Sequence, residues 1–292
     1  MIRKAQRYLY NLRGMQRIQF ALSRGAAASS SRKLDITGPS TWEFSGFSQN
    51  GEDGIIDVLV QKLGRANRYF VEIGASDGLE NNTAWLSIAR RYSGLWIDGD
   101  PVASQRCRDL FASLNYGVSI ACEFVNQESA AALQSRVLHT NPDVLSVDID
   151  GNDFYVVRAI LLSGMRPAIC VVEYNSALGP DQAITIPYRE DFCVVNRHGE
   201  SLYYGCSLTG WRTLFEEFGY RYVTVEANGV NAFFVDPEAF PSDFLDRVKH
   251  VSFNENFSHA REYGGSWQNQ FEHLSSRSFC TIDRKLCRPS IS

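Results

Sequence analysis

The sequence predicts an α/β protein built on one mostly parallel sheet with helices on both faces. Short apolar runs recur between segments of helical spacing, glycine-bearing or acidic turns follow several of those runs, and the series closes on two apolar runs joined by Asn228-Gly229. Strands alternating with helices need crossover connections, which give parallel pairing, whereas Asn-Gly between apolar runs signals an antiparallel hairpin.

The alternation starts near residue 48. "GEDGIIDVLVQKLG" places Ile55, Ile56, Leu59, Val60 and Leu63 at helical spacing and stops at Gly64. A first strand follows in "RYFVEIG", then a turn and the helix-like "NNTAWLSIARRY". "GLWIDGD" is the second strand, and Pro101 stands where the next helix begins. "GVSIACEFV", "DVLSVDID" and "PAICVVEYN" supply three more, with helices expected over 102–114, 128–139 and 153–163. Residues 176–206 form a connection unusually long for a strand-to-helix link. "YRYVTVEANGVNAFFVD" is the closing hairpin.

The chain has 292 residues, 44% of them hydrophobic, enough for one large domain with appendages. Eight of its 29 basic residues lie in residues 1–34, before the first acid, Asp35; the rest carries 21 against 33 acids, a net of −12. An acidic body excludes nucleic acid as the main partner, because phosphate contacts need a basic surface. The basic arm is amphipathic, with Ile2, Ala5, Leu9 and Leu12 on one helical face, and "RGAAASSSRK" reads as a flexible linker. Three readings of the arm stand: an exposed or packing helix, a helix for a membrane surface or a partner, or a transit peptide. The division expected is arm and linker over 1–34, main domain over 35–250 and an extension over 251–292, a lid or an oligomer contact. No stretch approaches the ~18 apolar residues of a membrane span; the expected location is the cytoplasm, with peripheral contact at the inner membrane surface if the arm is a membrane-surface helix. Seven cysteines, an odd count without Cys-x-x-Cys, read as thiols of a reducing compartment, and five histidines without paired spacing give no zinc site.

Ligands of open α/β sheets bind beyond the carboxyl ends of the strands. After the first strand comes "EIGASDG", where Gly74 and Gly78 allow a tight turn and close backbone approach. Ser76 stands where a dinucleotide-binding Gly-x-Gly-x-x-Gly would have its second glycine. Asp98 ends the second strand, placed to accept the two hydroxyls of an adenosine ribose, a geometry that suits NAD or S-adenosylmethionine. Glu72 before the turn, the acidic run "DIDGND" after the fourth strand and the closing hairpin favour the second.

"SQNGEDGII", "FVEIGASDGLENNT", "GLWIDGDP", "LSVDIDGND" and "VVEYN", in this order, resemble the FkbM-type family of class I methyltransferases, and "YGCSLTGWRTLFEEFGYRYVTVEANGVNAFFV" resembles that family's ending. The match covers roughly residues 48–236. It implies a Rossmann-like class I methyltransferase fold with seven strands and an antiparallel last strand, S-adenosylmethionine as cofactor, and O-methylation, often of sugar hydroxyls. It also implies that Glu72, Gly74, Ala75 and Gly78 line the methionine side, Asp98 holds the ribose, Glu123 and Phe124 flank the adenine, and Asp148 faces the reaction centre. Asp150 departs from the family, many members having Glu there.

An alcohol acceptor must lose its proton, and the candidate bases are Asp148, Asp150, Glu173 and His198. Asp148 and Asp150 fall on one side of an extended segment, where two close carboxylates raise one pKa or bind a divalent Mg or Mn ion. The competing reading of Asp150 and Asp153 is a solvated turn with Asp153 opening a helix. Tyr188, Tyr203 and Tyr204 in the long connection suit stacking on a sugar ring or packing the loop down. The expected acceptor is a small molecule or glycan, and a homo-oligomer stays open. Two other functions stay open as well: a nicotinamide-dependent oxidoreductase and a non-catalytic binding module.

Overall fold

The computed structural model describes residues 2–111, 114–190, 192 and 202–288, with side chains from Tyr8 onward. The strands are β1 (Tyr69–Ile73), β2 (Ser93–Asp98), β3 (Val118–Cys122), β4 (Val144–Val147), β5 (Ile169–Glu173), β6 (Ile184–Thr185), β7 (Arg221–Val225), β8 (Asn231–Val235) and β9 (Cys280–Thr281). Seven of them make one sheet in the order β3-β2-β1-β4-β5-β8-β7. Neighbours from β3 to β5 pair in parallel, and β8 runs antiparallel to both β5 and β7. This is the Rossmann-like arrangement with an antiparallel last strand that the sequence predicts.

Helices cover both faces, so the inner strands are apolar almost throughout rather than alternating. They are α1 (Ile2–Ser31), α2 (Glu52–Gln61), α3 (Ala84–Ala89), α4 (Pro101–Phe111), α5 (Gln127–Ala131), α6 (Asp153–Leu162), α7 (Leu208–Glu217), α8 (Ser242–Leu245), α9 (Phe257–Tyr263), α10 (Trp267–Glu272) and α11 (Arg284–Cys287). On one face Val71, Ile73, Leu145 and Val147 pack against α5, α6 and α7; on the other, Phe70, Trp96, Val144 and Val171 meet α2, α3, α4 and α8. The pleat decides which face each residue serves. The helix expected over 128–139 is only α5, continued by a 3-10 turn over Ala132–Ser135.

Both ends of the chain depart from the expected division. Of the residues read as a linker, Arg24 to Lys33, those up to Ser31 belong to α1, one continuous helix. Ile18 and Ala21 are buried in the same cluster as Trp42 and Trp85, and a Cβ on Gly25 would lie 2.6 Å from the Trp85 ring. Arg24 donates to the Gly46 carbonyl at 2.6 Å, and Arg32 donates to the Trp42 carbonyl and pairs with Asp57. The face of α1 that packs is therefore not the stripe containing Leu9 and Leu12: Tyr8, Leu9, Leu12 and Phe20 are exposed. Among the described residues no helix is long and apolar enough to cross a membrane.

At the other end, residues 251–288 fold back on the domain. β9 pairs with β6, α11 packs on α7, and Ile282 and Cys287 join the main core. The Tyr222 hydroxyl donates to the Val251 carbonyl and that of Tyr174 to the Asn254 carbonyl, so nothing in the packing marks a boundary at 250. The six described cysteines are free; Cys193 lies outside the described residues.

Deleting residues 1–34 would expose Ile18's neighbours and remove Arg32 from Asp57, which keeps Arg90 at 2.6 Å. A loss of about 3 kcal/mol is expected from the apolar surface that Ile18 and Ala21 cover, read as a drop in the melting midpoint of the truncated protein. Equal melting of the two forms would mean that α1 is a dispensable arm.

Candidate functional site

Strand order reverses beside β1, whose neighbours β2 and β4 lead away in opposite directions. The carboxyl ends of these strands open there into a cavity of about 820 Å³, within the size range of small-ligand sites. Its wall carries Gly74, Ser76 and Asp77 after β1, Asp98 and Asp100 at β2, Glu123 and Phe124 after β3, and Asp148, Asp150 and Asn152 after β4.

Gly74 sets the depth of the cavity. Its φ is +92°, and a Cβ there would sit 1.6 Å from the Asp148 carbonyl oxygen, so the backbones leaving β1 and β4 meet only because the side chain is missing. Ser76 follows at φ +48°, and its N–H donates to Asp98 Oδ2 at 2.6 Å. Asp100 N–H donates to Asp98 Oδ1 at 2.8 Å. Each oxygen keeps a further lone pair for a ligand. The Phe124 ring is 57% exposed at the rim, an apolar surface in a polar wall, and Glu123 is braced by Arg136 at 2.6 Å.

Three residues carried over by resemblance do not reach the cavity. Glu72 lies on the opposite side of the pleat from Ile73 and is 3% exposed. Its carboxylate accepts the N–H of Asn82 and Thr83 and the Thr83 hydroxyl, holding the approach to α3. Burial pushes it up to about 7, against those hydrogen bonds. Ala75 is 1% exposed. Gly78 serves packing, since a Cβ there would meet the Phe111 ring at 2.7 Å.

Asp148, Asp150 and Glu173 do come together: one carboxylate oxygen from each lies within 4.8 Å of the others. The reason is not strand alternation, because β4 ends at Val147 and Asp150 takes φ +52° in the turn that follows. Asp153 makes that turn. It is fully buried at the start of α6, and its carboxylate accepts the N–H of Ile149 and Gly151, each at 2.8 Å. Asp153 is thus the helix-opening residue of the competing reading, whereas Asp150 faces the cavity. Burial, then the charges of Asp150 and Asp153, hold the Asp148 carboxyl well above the usual range. Burial and then Asp148 do the same to Glu173, against a hydrogen bond from Tyr204.

The run "EYN" at the end of β5 divides its work. Glu173, 8% exposed, enters the cluster with Oε2 unpartnered. Tyr174 ties down the Asn254 segment, and Asn175 Nδ2 donates to the carbonyls of Leu202 and Tyr204. Tyr204 is thereby buried beside Glu173, while Tyr203 donates to Ser278 and Tyr188 packs edge-on against Tyr155. All three tyrosines pack the connection down. His198 lies outside the described residues.

Two wall residues carried no sequence signal. Asn152 is 4% exposed, donates to the Arg189 carbonyl and leaves Oδ1 unpartnered. Arg17 reaches the rim from α1 and pairs with Glu80. It is the single basic residue among the described lining residues, against Asp77, Glu80, Asp98, Asp100, Glu123, Asp148 and Asp150.

No family model matches the chain, and no curated protein matches it. Among solved structures it is similar in part to the SAH-bound methyltransferase PaMTH1 of Podospora anserina, at 17% identity over 57% of this chain and 71% of that one, with a TM-score of 0.39. It is similar to the O-methyltransferase from Bacillus cereus in complex with SAH, at 16% identity over 75% of this chain and 89% of that one, TM-score 0.41. The O-methyltransferase TomG from Streptomyces achromogenes, in complex with SAM, gives 15% identity over 73% and 94%, TM-score 0.43. Likeness this partial carries no argument about activity, which must come from the cavity itself.

Proposed function

We propose that this protein is an S-adenosylmethionine-dependent O-methyltransferase whose acceptor is a hydroxyl of a sugar or glycan. The observation that carries the reading is the charge of the cavity, seven carboxylates against one arginine among the described residues. A nicotinamide dinucleotide would bring a doubly negative pyrophosphate into that wall, and pyrophosphate sites use free N–H groups at a helix N-terminus. Here the Ser76 N–H is already spent on Asp98. The sulfonium and ammonium of S-adenosylmethionine outweigh its single carboxylate, so an acidic cavity favours it.

Bound in this cavity, the cofactor would supply a methyl group on an electrophilic sulfonium. The residues of the chain do the rest. Asp98 accepts the two ribose hydroxyls with the lone pairs that Ser76 and Asp100 leave free, and Phe124 covers one face of the adenine. On the other side of β1, the Asp148–Asp150–Glu173 cluster takes the proton of the acceptor hydroxyl. A carboxylate with raised proton affinity suits that task, since general bases work best near the operating pH. Closely spaced carboxylates also accept hydrogen bonds from neighbouring hydroxyls of a polyol, which supports a sugar acceptor.

Asp98→Ala should weaken S-adenosylhomocysteine binding by about 2–4 kcal/mol in calorimetry, because two ribose hydroxyls lose a charged partner. Unchanged affinity would remove the ribose assignment. Asp148→Asn should retain that binding but cut methyl transfer from labelled S-adenosylmethionine to sugar acceptors by about 10²–10⁴. Turnover at the wild-type rate would take Asp148 out of the chemistry.

A further inference from the structure

Other buried carboxylates of this protein engage arginine or backbone N–H groups, Asp57 pairing with Arg90 and Arg32. Asp53 accepts three N–H groups on Oδ2, from Gly46, Phe47 and Ser48, with its Oδ1 unpartnered. Glu226 accepts four, from Asn228 to Asn231. The cluster at the ends of β4 and β5 is different. Its three carboxylates converge within 4.8 Å, and no lysine, arginine or histidine among the described residues neutralises them.

A second feature points to what would. Glu173 is more than nine-tenths buried, and its Oε2 has no partner although it stands among like charges. Asn152, 4% exposed and in the wall of the cavity that Asp148 and Asp150 also line, has its amide nitrogen committed to the Arg189 carbonyl and its Oδ1 unpartnered. A buried oxygen without a donor is costly. Glu173 Oε2, with the Asp148 and Asp150 carboxylates that line the open cavity, forms an unfilled set of acceptors. Every member is a hard oxygen donor, with no nitrogen or sulfur, which selects magnesium- or manganese-like ions over zinc. Three carboxylates also leave coordination positions free for water or for an acceptor oxygen.

We propose that Asp148, Asp150 and Glu173 bind a hard divalent cation of the Mg²⁺/Mn²⁺ class. The site stands on its own geometry and does not depend on the methyl-transfer reading. If that reading holds, the ion also polarises the acceptor hydroxyl and eases loss of its proton to a cluster carboxylate or water.

The test is a Mn²⁺ titration of the chelator-stripped full chain, followed by electron paramagnetic resonance. One Mn²⁺ per chain should bind at micromolar concentration and be displaced by excess Mg²⁺. Glu173→Gln and the exposed Asp150→Asn should each weaken binding at least about 10-fold. Glu128→Gln, an acid outside the cavity, should bind as the wild type does. Asp150→Asn keeps the test valid if Glu173→Gln fails to fold, with melting curves recorded for both. No bound ion at millimolar Mn²⁺, or wild-type affinity in Asp150→Asn, would overturn the proposal. Calorimetry with S-adenosylhomocysteine in chelator separates the two readings: cofactor binding without Mn²⁺ binding overturns the cation site alone, and Mn²⁺ binding without cofactor binding supports the site while removing the transfer reading.

Discussion

At Gly74 the chains leaving β1 and β4 pass so closely that a Cβ would sit 1.6 Å from the Asp148 carbonyl oxygen. That contact places the first turn against the fourth strand's exit, and the positions of the other functional groups follow from it. With β1 and β4 in contact, Ser76 falls where its N–H meets Asp98, and the Asp148 carboxylate opens onto the same cavity as Asp98. The site is therefore a consequence of backbone packing at the point where strand order reverses. The side chains decorate a gap that glycine makes.

The acids of this protein divide by what they accept. Asp53, Glu72, Asp153 and Glu226 are each 3% exposed or less, and all are engaged by backbone N–H groups of turns. They hold loops in place, and those bonds offset part of the cost of burying them, which still raises the proton affinity of each. Among the described residues Asp148, Asp150 and Glu173 have no such backbone donors, and burial raises the proton affinity of all three, helped at Asp148 and Glu173 by the neighbouring carboxylates. Folding gains little from gathering three acids this way. Two of the wall residues, Ser76 and Asp150, also hold left-handed backbone without being glycine, and local strain of that kind concentrates at functional sites.

The sheet was legible because its signals are local: apolar runs of strand length, a proline opening α4, and Asn-Gly between β7 and β8. Asp98 and the run Asp148 to Asp153 were legible because the fold class says where strand ends lie. The role of Glu72 was not, since a motif position does not say which side of the pleat a residue takes. The join between α1 and the body was misread on composition. Arg24 to Lys33 looks like a linker, but alanine favours helix, and Gly25 allows the helix to lie close against Trp85. Residues 251–288 carry no periodic pattern, because their fixing contacts come from side chains such as Tyr174 and Tyr222, each meeting a distant carbonyl.

The account rests on an acidic cavity selecting a cationic nucleoside over a dinucleotide phosphate. Calorimetry of the unmodified protein with S-adenosylmethionine and NAD in parallel, at one pH and one salt concentration, tests this most directly. The account predicts saturable one-to-one binding of S-adenosylmethionine and no binding heat with NAD. Saturable binding of NAD with none of S-adenosylmethionine would contradict it.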